Sequence, residues 1–444
     1  MMPFAQMGIG NGITRFFPQV TDSKFSFFSF SLFLGIAGFA VLMVFTILFR
    51  EPISSAFAEK SPAVNQYIQV ALIITFILVI HTLLEAFSRS YLKLAIPSLI
   101  RDVLLRLLIA LLVIGYFFGW YPFPQMIWGM SIAYFLAMAC MVFYMNKTGI
   151  FQLQFNWSDI PLSLKKDFFR YNIITLLGTA GALLIMKIDS IMVSSMIGLD
   201  ANAIYTIGFS IAVVIEMPRR AISQVAMPVI SEMFAKNQLT EINALYKKIA
   251  VNQLLICLLV FLLIWVNIEN LYHFVPNRSI YEQGKWVVLL IGLGKITDVI
   301  FSVNGEIIVF SRFYTFNITA TLLMCAAIII FNLMLIPLYG IEGAALASLI
   351  AMFCYNLVKY IYIKIRLGFN PFTTGVFLIL LAGVLSWALS YYLIPESAYV
   401  VLDILIRSGI VTAFYLLLIH LFKAAQETEA MVFRKIKDVF SQLR

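Results

Sequence analysis

Long apolar blocks recur along almost the whole chain, each close to the ~20 residues a helix needs to cross a bilayer. Twelve blocks fit that length: 26–49, 66–86, 97–118, 125–145, 171–196, 203–229, 249–271, 286–309, 315–337, 343–362, 372–394 and 401–422. The pattern predicts an all-α, polytopic membrane protein. Before the first block lies Met1–Thr14, apolar and glycine-rich but too short to cross.

The polar connections between blocks are unequal. Starting at 15–25 and taking every second connection, including the tail from Lys423, gives 20 Lys and Arg, whereas the opposite set holds only Arg50, Lys60, Arg278 and Lys285. Lys and Arg accumulate on the cytoplasmic side of membrane proteins. The C-terminus and the 146–170 connection are therefore expected inside. This orientation brings residues 1–14 down from outside as the end of a span that no earlier span delivers. The expectation is a chain that lacks one whole helix and half of a second. A short re-entrant or interfacial N-terminus is the other reading.

Composition agrees with this pattern. Of 444 residues, 62% are hydrophobic and 12% charged, and the mean hydropathy is +0.96. A soluble domain is about half apolar and a quarter charged, so a soluble enzyme, a disordered protein and a nucleic-acid binder are excluded. The net charge of +9 is absorbed by topology. Cys140, Cys257, Cys325 and Cys354 all fall in apolar runs, without the spacing of a disulfide framework or metal site. No metal, cofactor or catalytic group is expected, nor is a phosphate loop present.

Restoring two helices before Arg15 would place six spans before the longest connection and eight after it. The expected layout is two six-helix lobes around a central cavity with two extra C-terminal helices. Its segments are an N-terminal lobe (1–150), a cytoplasmic linker (151–170), a C-terminal lobe (171–364), two additional spans (365–423) and a tail (424–444). In 431–443 apolar residues at helical spacing alternate with Arg434, Lys435 and Lys437. This stretch is expected to lie on the inner leaflet, attracted to anionic lipid; a solvated tail with a partner-facing stripe is the other reading.

Seven basic residues fall within the apolar blocks: Arg106, Lys187, Arg219, Arg220, Lys295, Lys359 and Arg407. A charge at a helix centre costs at least about 2.5 kcal/mol, so each needs a reason. Lys359, near the inner end of its block, can snorkel, and Arg407 has Asp403 one turn back. Glu216 can reach Arg219 or Arg220 but not both well, and Pro218 kinks the span beside them. Lys295 and Asp298 form an i,i+3 pair. Lys187 and Asp189 point to different faces, and Asp189 and Lys295 are natural partners. In the first half, His81 and Glu85, and Asp102 and Arg106, pair at i,i+4. The surplus of arginine suits an anionic ligand, since guanidinium holds phosphate oxygens through two parallel hydrogen bonds.

Three stretches carry a family resemblance. The pattern D-x-I-M-V-x-x-x-I-G-L-x-A-x-x-I-Y from Asp189, followed by P-V-I-S-E-M from Pro228, resembles the polysaccharide and lipid-linked oligosaccharide flippases. These belong to the multidrug/oligosaccharidyl-lipid/polysaccharide exporter superfamily. NLMLIPLYGIEGAALASLIA from Asn332 and GIGNGITRFFP from Gly8 resemble the same family, and the similarity covers nearly the whole chain. In the former, Gly343/Ala347, Ala344/Ser348 and Ala347/Ala351 also give small residues one turn apart, suited to close helix packing.

The resemblance implies an alternating-access transporter, not an enzyme, in the bacterial inner membrane. Its cargo would be an isoprenoid-pyrophosphate-linked glycan moved from inner to outer leaflet. Membrane lipids and glycan-assembly proteins are the other expected partners. By position in the family, Arg15, Arg219 and Arg220 would hold pyrophosphate, with Lys295 beside them. Lys187, Asp189, Glu216 and Asp298 would supply cavity polarity or ion coupling. The alternatives are a drug/cation antiporter of the same fold, which needs an acidic cavity, and a membrane glycan polymerase or glycosyltransferase, which usually carries a long external loop.

Overall fold

The computed structural model describes residues 5–424 apart from 7, 21–22, 92, 94 and 394–398. The amphipathic stretch 431–443 lies outside the described residues. Every described segment of regular structure is helical, as the apolar blocks predict. In hydrocarbon the backbone can satisfy its own hydrogen bonds within a helix. The helices pack into two units, Met1–Leu184 and Ile185–Arg444.

The first unit contains α1 (Ile9–Phe16), α2 (Lys24–Leu48), α3 (Arg50–Ala58), α4 (Pro62–Ser90), α5 (Ala95–Leu99), α6 (Leu105–Phe117), α7 (Phe123–Lys147) and most of α8 (Leu162–Met196). Prolines mark several starts: Pro62 and Pro124 stand in the first turns of α4 and α7, where a missing N–H leaves no bond broken. Helix α4 is the centre, packed by α1, α2 and α7. Its Phe87 stacks on Phe28 with ring centroids 4.1 Å apart, and Phe27 meets Phe168 of α8 edge-on at 5.0 Å. Gly12 permits a close approach: a Cβ there would collide with the Asn172 side-chain oxygen. The stretch 151–170 packs onto this unit, with Ile160 and Phe168 buried in its core and the Gln154 N–H donating to Ser29.

The second unit contains α9 (Leu199–Val213), α10 (Met217–Ala235), α11 (Leu239–Val266), the short α12 (Ile268–His273) and α13 (Arg278–Tyr281), α14 (Lys285–Ile300), α15 (Asn304–Phe310), α16 (Tyr314–Leu367), α17 (Thr374–Leu393) and α18 (Val400–Phe422). Helix α14 is its centre, packed by α9, α11 and α16. The pair α17–α18 rests on α11, where the Tyr415 hydroxyl donates to the Leu255 carbonyl at 3.1 Å.

Eight described helices are long and apolar enough to cross a membrane, nine if the bent pair Arg278–Ile300 and Asn304–Phe310 forms one span. Helix α16 carries two of the expected blocks, and the two blocks outside these helices are also helical. Block 97–118 is divided by a π turn at Ile100–Leu104, and 171–196 lies on α8. Helix α16, with 54 residues, would be about 80 Å long at ~1.5 Å per residue, far more than one crossing. It breaks at Gly340, whose φ of 59° and ψ of −133° leave the helical region. Such a φ suits a residue without Cβ. After the break, Ala344, Ala347 and Ala351 are buried, the small-residue face that the sequence predicts for close packing. Large residues such as Leu48, Phe143 and Ile365 point outward. A lipid-facing surface has no hydrophobic penalty, so packing and interhelical polar contacts hold the bundle.

Candidate functional site

The charged residues of the second unit meet on three helices. Helix α9 ends in a 3-10 turn, Val214–Glu216, and Pro218 occupies the first turn of α10. There its lost donor would be unpaired anyway. Glu216, Arg219 and Arg220 are thus presented at a junction between helices, against Lys295 and Asp298 of α14.

The pairing differs from the one that spacing suggests. Glu216 accepts from the Arg220 Nε at 3.0 Å, and its second oxygen lies 2.5 Å from the Lys295 Nζ. Arg219 instead crosses to Asp298 at 3.2 Å. The expected Lys295–Asp298 pair is absent among the described ion pairs, because each residue has a better-placed partner on another element. The cluster is therefore two ion contacts between helices plus one within the junction.

A shell of neutral polar groups completes it. Asn356 donates to Asp298 at 3.1 Å and accepts from Asn304 at 2.9 Å. Gln253 accepts from Ser302 at 3.2 Å and donates to the Arg219 carbonyl at 3.5 Å. Arg219 is nearly enclosed, its side chain 14% exposed, and its Nε is buried without a partner. Arg220, at 48%, keeps its guanidinium half open. Three cations here face two carboxylates, so one positive charge is left over. Lys359 and Glu306 lie alongside and preserve that surplus. Lys359 corrects the expectation of snorkelling: it is buried, with Nζ 4.1 Å from the Tyr355 ring centroid.

Asp189 forms a separate, buried centre. Its carboxylate accepts from Tyr205 at 3.0 Å, from Asn332 at 2.7 Å and from Ser348. The expected pair with Lys295 does not form. The two line one small cavity of about 50 Å³, but neutral donors already hold the carboxylate and Lys295 contacts Glu216. Lys187, two residues before Asp189, is exposed and belongs to neither cluster.

The first unit has its own polar group. Glu85 receives Arg89 at 3.1 Å and also Arg101, which reaches Asp102 at 2.9 Å as well. Arg101, not Arg106, thus engages Asp102 through a bidentate contact. His81 does not bond Glu85; its buried Nε2 has no partner and lines a cavity of about 250 Å³. Arg15, in the last turn of α1, is exposed and stacks over the Tyr171 ring at 4.5 Å.

Sequence reasoning missed the amides. Asn332 and Asn356 are fully buried at the hearts of the two centres, and an amide inside an apolar span is a legible signal of an interhelical bond. Among the described residues, no group of three His, Cys, Asp or Glu could hold a metal ion.

Comparison with known proteins bears on this arrangement. The sequence profile of the family described as Polysaccharide biosynthesis protein matches residues 1–234, more than half of the chain, and that described as MatE matches 175–309. Among solved structures, the lipid II flippase MurJ in an inward closed conformation is similar with TM-score 0.71 at 14% identity, over 94% of this chain and 89% of that one. An inward-facing multidrug resistance MATE family transporter of the MOP superfamily is similar with TM-score 0.63 at 16% identity, over 83% and 88%. The Vibrio cholerae MATE transporter VcmN in its bent form gives 0.51 at 15%, over 82% and 85%. Among curated protein sequences, nothing matches.

Proposed function

The chain belongs to the polysaccharide biosynthesis protein family, and from that premise we propose that it is a flippase for a lipid-linked saccharide. It carries an isoprenoid-pyrophosphate-linked glycan from the inner to the outer leaflet of a bacterial inner membrane by alternating access. Its C-terminus lies in the cytoplasm.

The observation that supports this reading is the cationic surplus of the Glu216–Arg219–Arg220–Lys295–Asp298 cluster. Its task is to shelter a pyrophosphate and sugars across about 30 Å of hydrocarbon. Arg220 is the contact residue: its Nε is engaged by Glu216, and the terminal amino groups suit a bidentate grip on phosphate oxygens. Lys295 and Arg219 add positive potential from behind. Arg15, stacked on Tyr171, presents a second exposed guanidinium from the first unit. Asp189 serves ion coupling. Its carboxylate, the Ser348 hydroxyl and the unpartnered Asn332 Oδ1 are hard oxygen groups, a donor set suited to a small cation.

The test is translocation of a fluorescent isoprenoid-pyrophosphate-linked oligosaccharide in proteoliposomes. Arg220→Ala should slow it strongly while the protein still reconstitutes, and Arg220→Lys should restore only part, having lost the bidentate geometry. Translocation at the unsubstituted rate in Arg220→Ala would sink the anion-site assignment. The MatE match over 175–309 covers the same cluster and favours a second reading, a drug/cation antiporter. Efflux of a cationic dye from the same vesicles, with no movement of the lipid-linked saccharide, would select it.

A further inference from the structure

Half of the chain's six tryptophans stand together at the end of the second unit that the charge distribution places outside. Trp265 ends α11, Trp286 begins α14 and Trp387 lies on the last turns of α17, followed by Tyr391 and Tyr392. All five line one cavity of about 870 Å³, bounded also by α12 and α18. That volume falls in the range of small-molecule sites, ~300–1,000 Å³. Trp265 and Trp286 lie 5.8 Å apart between centroids and are tilted, while Trp387 and Tyr391 are nearly parallel at 5.9 Å.

The charges around these rings differ in kind from those of the deeper cluster. Each cation has its own carboxylate: Lys285 with Glu269 at 3.4 Å, Arg278 with Glu282 at 2.8 Å, and Arg407 with Asp403 at 3.2 Å. Asn270 and Ser390 add neutral polar groups to the lining. The cleft therefore has little net charge, many hydrogen-bonding groups and several flat apolar faces. An anion would find no surplus cation there. A lipid tail would meet a strongly polar wall. Aromatic residues of a simple interfacial belt would face lipid from a convex surface, whereas these rings line a concavity. A sugar ring matches it: C–H faces for the rings, whose π faces are electron-rich, and equatorial hydroxyls for the paired carboxylates, amide and guanidinium groups.

We propose that this cleft is a saccharide-binding site that engages the glycan part of the cargo on the outer side. This rests on the reading that the cargo carries a saccharide, but it assigns a site apart from the arginine cluster.

The test uses the full chain in lipid nanodiscs on an array of immobilised neutral and acidic oligosaccharides, with tryptophan-fluorescence quenching by the bound glycans in solution. Trp387→Ala and Tyr391→Ala should each weaken binding about ten-fold, the upper end of what one aromatic contact supplies. Tyr391 is 69% exposed, so its removal leaves the fold intact. Arg89→Ala, in the polar group of the first unit, should bind as the parent does. No glycan bound by the parent protein, binding unchanged in both aromatic variants, or binding lost in Arg89→Ala would each overturn the assignment. Since binding is read without translocation, the outcomes separate. Intact translocation with no glycan binding removes the cleft alone, and glycan binding without translocation removes the flippase reading alone.

Discussion

The two units treat buried carboxylates differently. In the first, Glu85 is held by Arg89 and Arg101, whose side chains are nearly half exposed. In the second, Asp298 is held by Arg219, which is almost enclosed, and Asp189 by neutral donors alone. An ion pair with one end in a polar environment is worth little, because solvent competes with it. An enclosed pair is worth little as a sum but much as a dependency: removing one partner strands the other. Thus the charges around Glu85 can change at low cost, and those around Asp298 cannot. The exception in the buried cluster of the second unit is Arg220, half open beside otherwise closed neighbours, which is why it is assigned to the cargo.

The sharpest way to break this contrast is Arg219→Ala. It leaves Asp298 buried without its ion partner and should cost about 3–5 kcal/mol, read as a large fall in melting temperature and in monodisperse protein after extraction. Adding Asp298→Ala should recover most of the loss; no recovery would mean that the pair is not the unit of stability. Asp189→Ala comes next. It strands the hydroxyls of Tyr205 and Ser348 and the Asn332 amide, each costing about 1–3 kcal/mol when unmet, but it also removes the cost of burying the carboxylate, so the melting shift should be smaller than for Arg219→Ala. Arg220→Ala should change stability by no more than about 1 kcal/mol, since Lys295 still holds Glu216, yet it should slow translocation most. Smallest is Arg89→Ala: Arg101 remains on Glu85, so stability should move by under about 1 kcal/mol and translocation not at all. A translocation defect there as deep as in Arg220→Ala would erase the distinction between the units.

Much of the architecture was legible beforehand. The apolar blocks gave helices at all twelve places, and the small residues after Gly340 gave the close-packed face. The Asp403–Arg407 pair followed from one-turn spacing, and Glu216–Arg220 is one of the two pairings that spacing left open. Spacing failed where partners come from other helices. Lys295 and Asp298 are one turn apart yet turn away from each other, toward Glu216 and Arg219. Lys359 looked able to reach the membrane edge and is instead buried over Tyr355. The aromatic cleft is illegible in the sequence for the same reason. Trp265, Trp286 and Trp387 are scattered over more than a hundred residues and meet only when α11, α14 and α17 pack.

The sequence by itself determined that this protein crosses the membrane many times as helices, because transfer from water and backbone hydrogen bonding are local to each segment. It also determined the family, which residue patterns carry. Which charge neutralises which, which carboxylate needs no cation and which arginine stays open were decided only by tertiary structure. A buried charge is stabilised by whatever lies within a few ångströms, and in a helical bundle those neighbours come from distant parts of the chain.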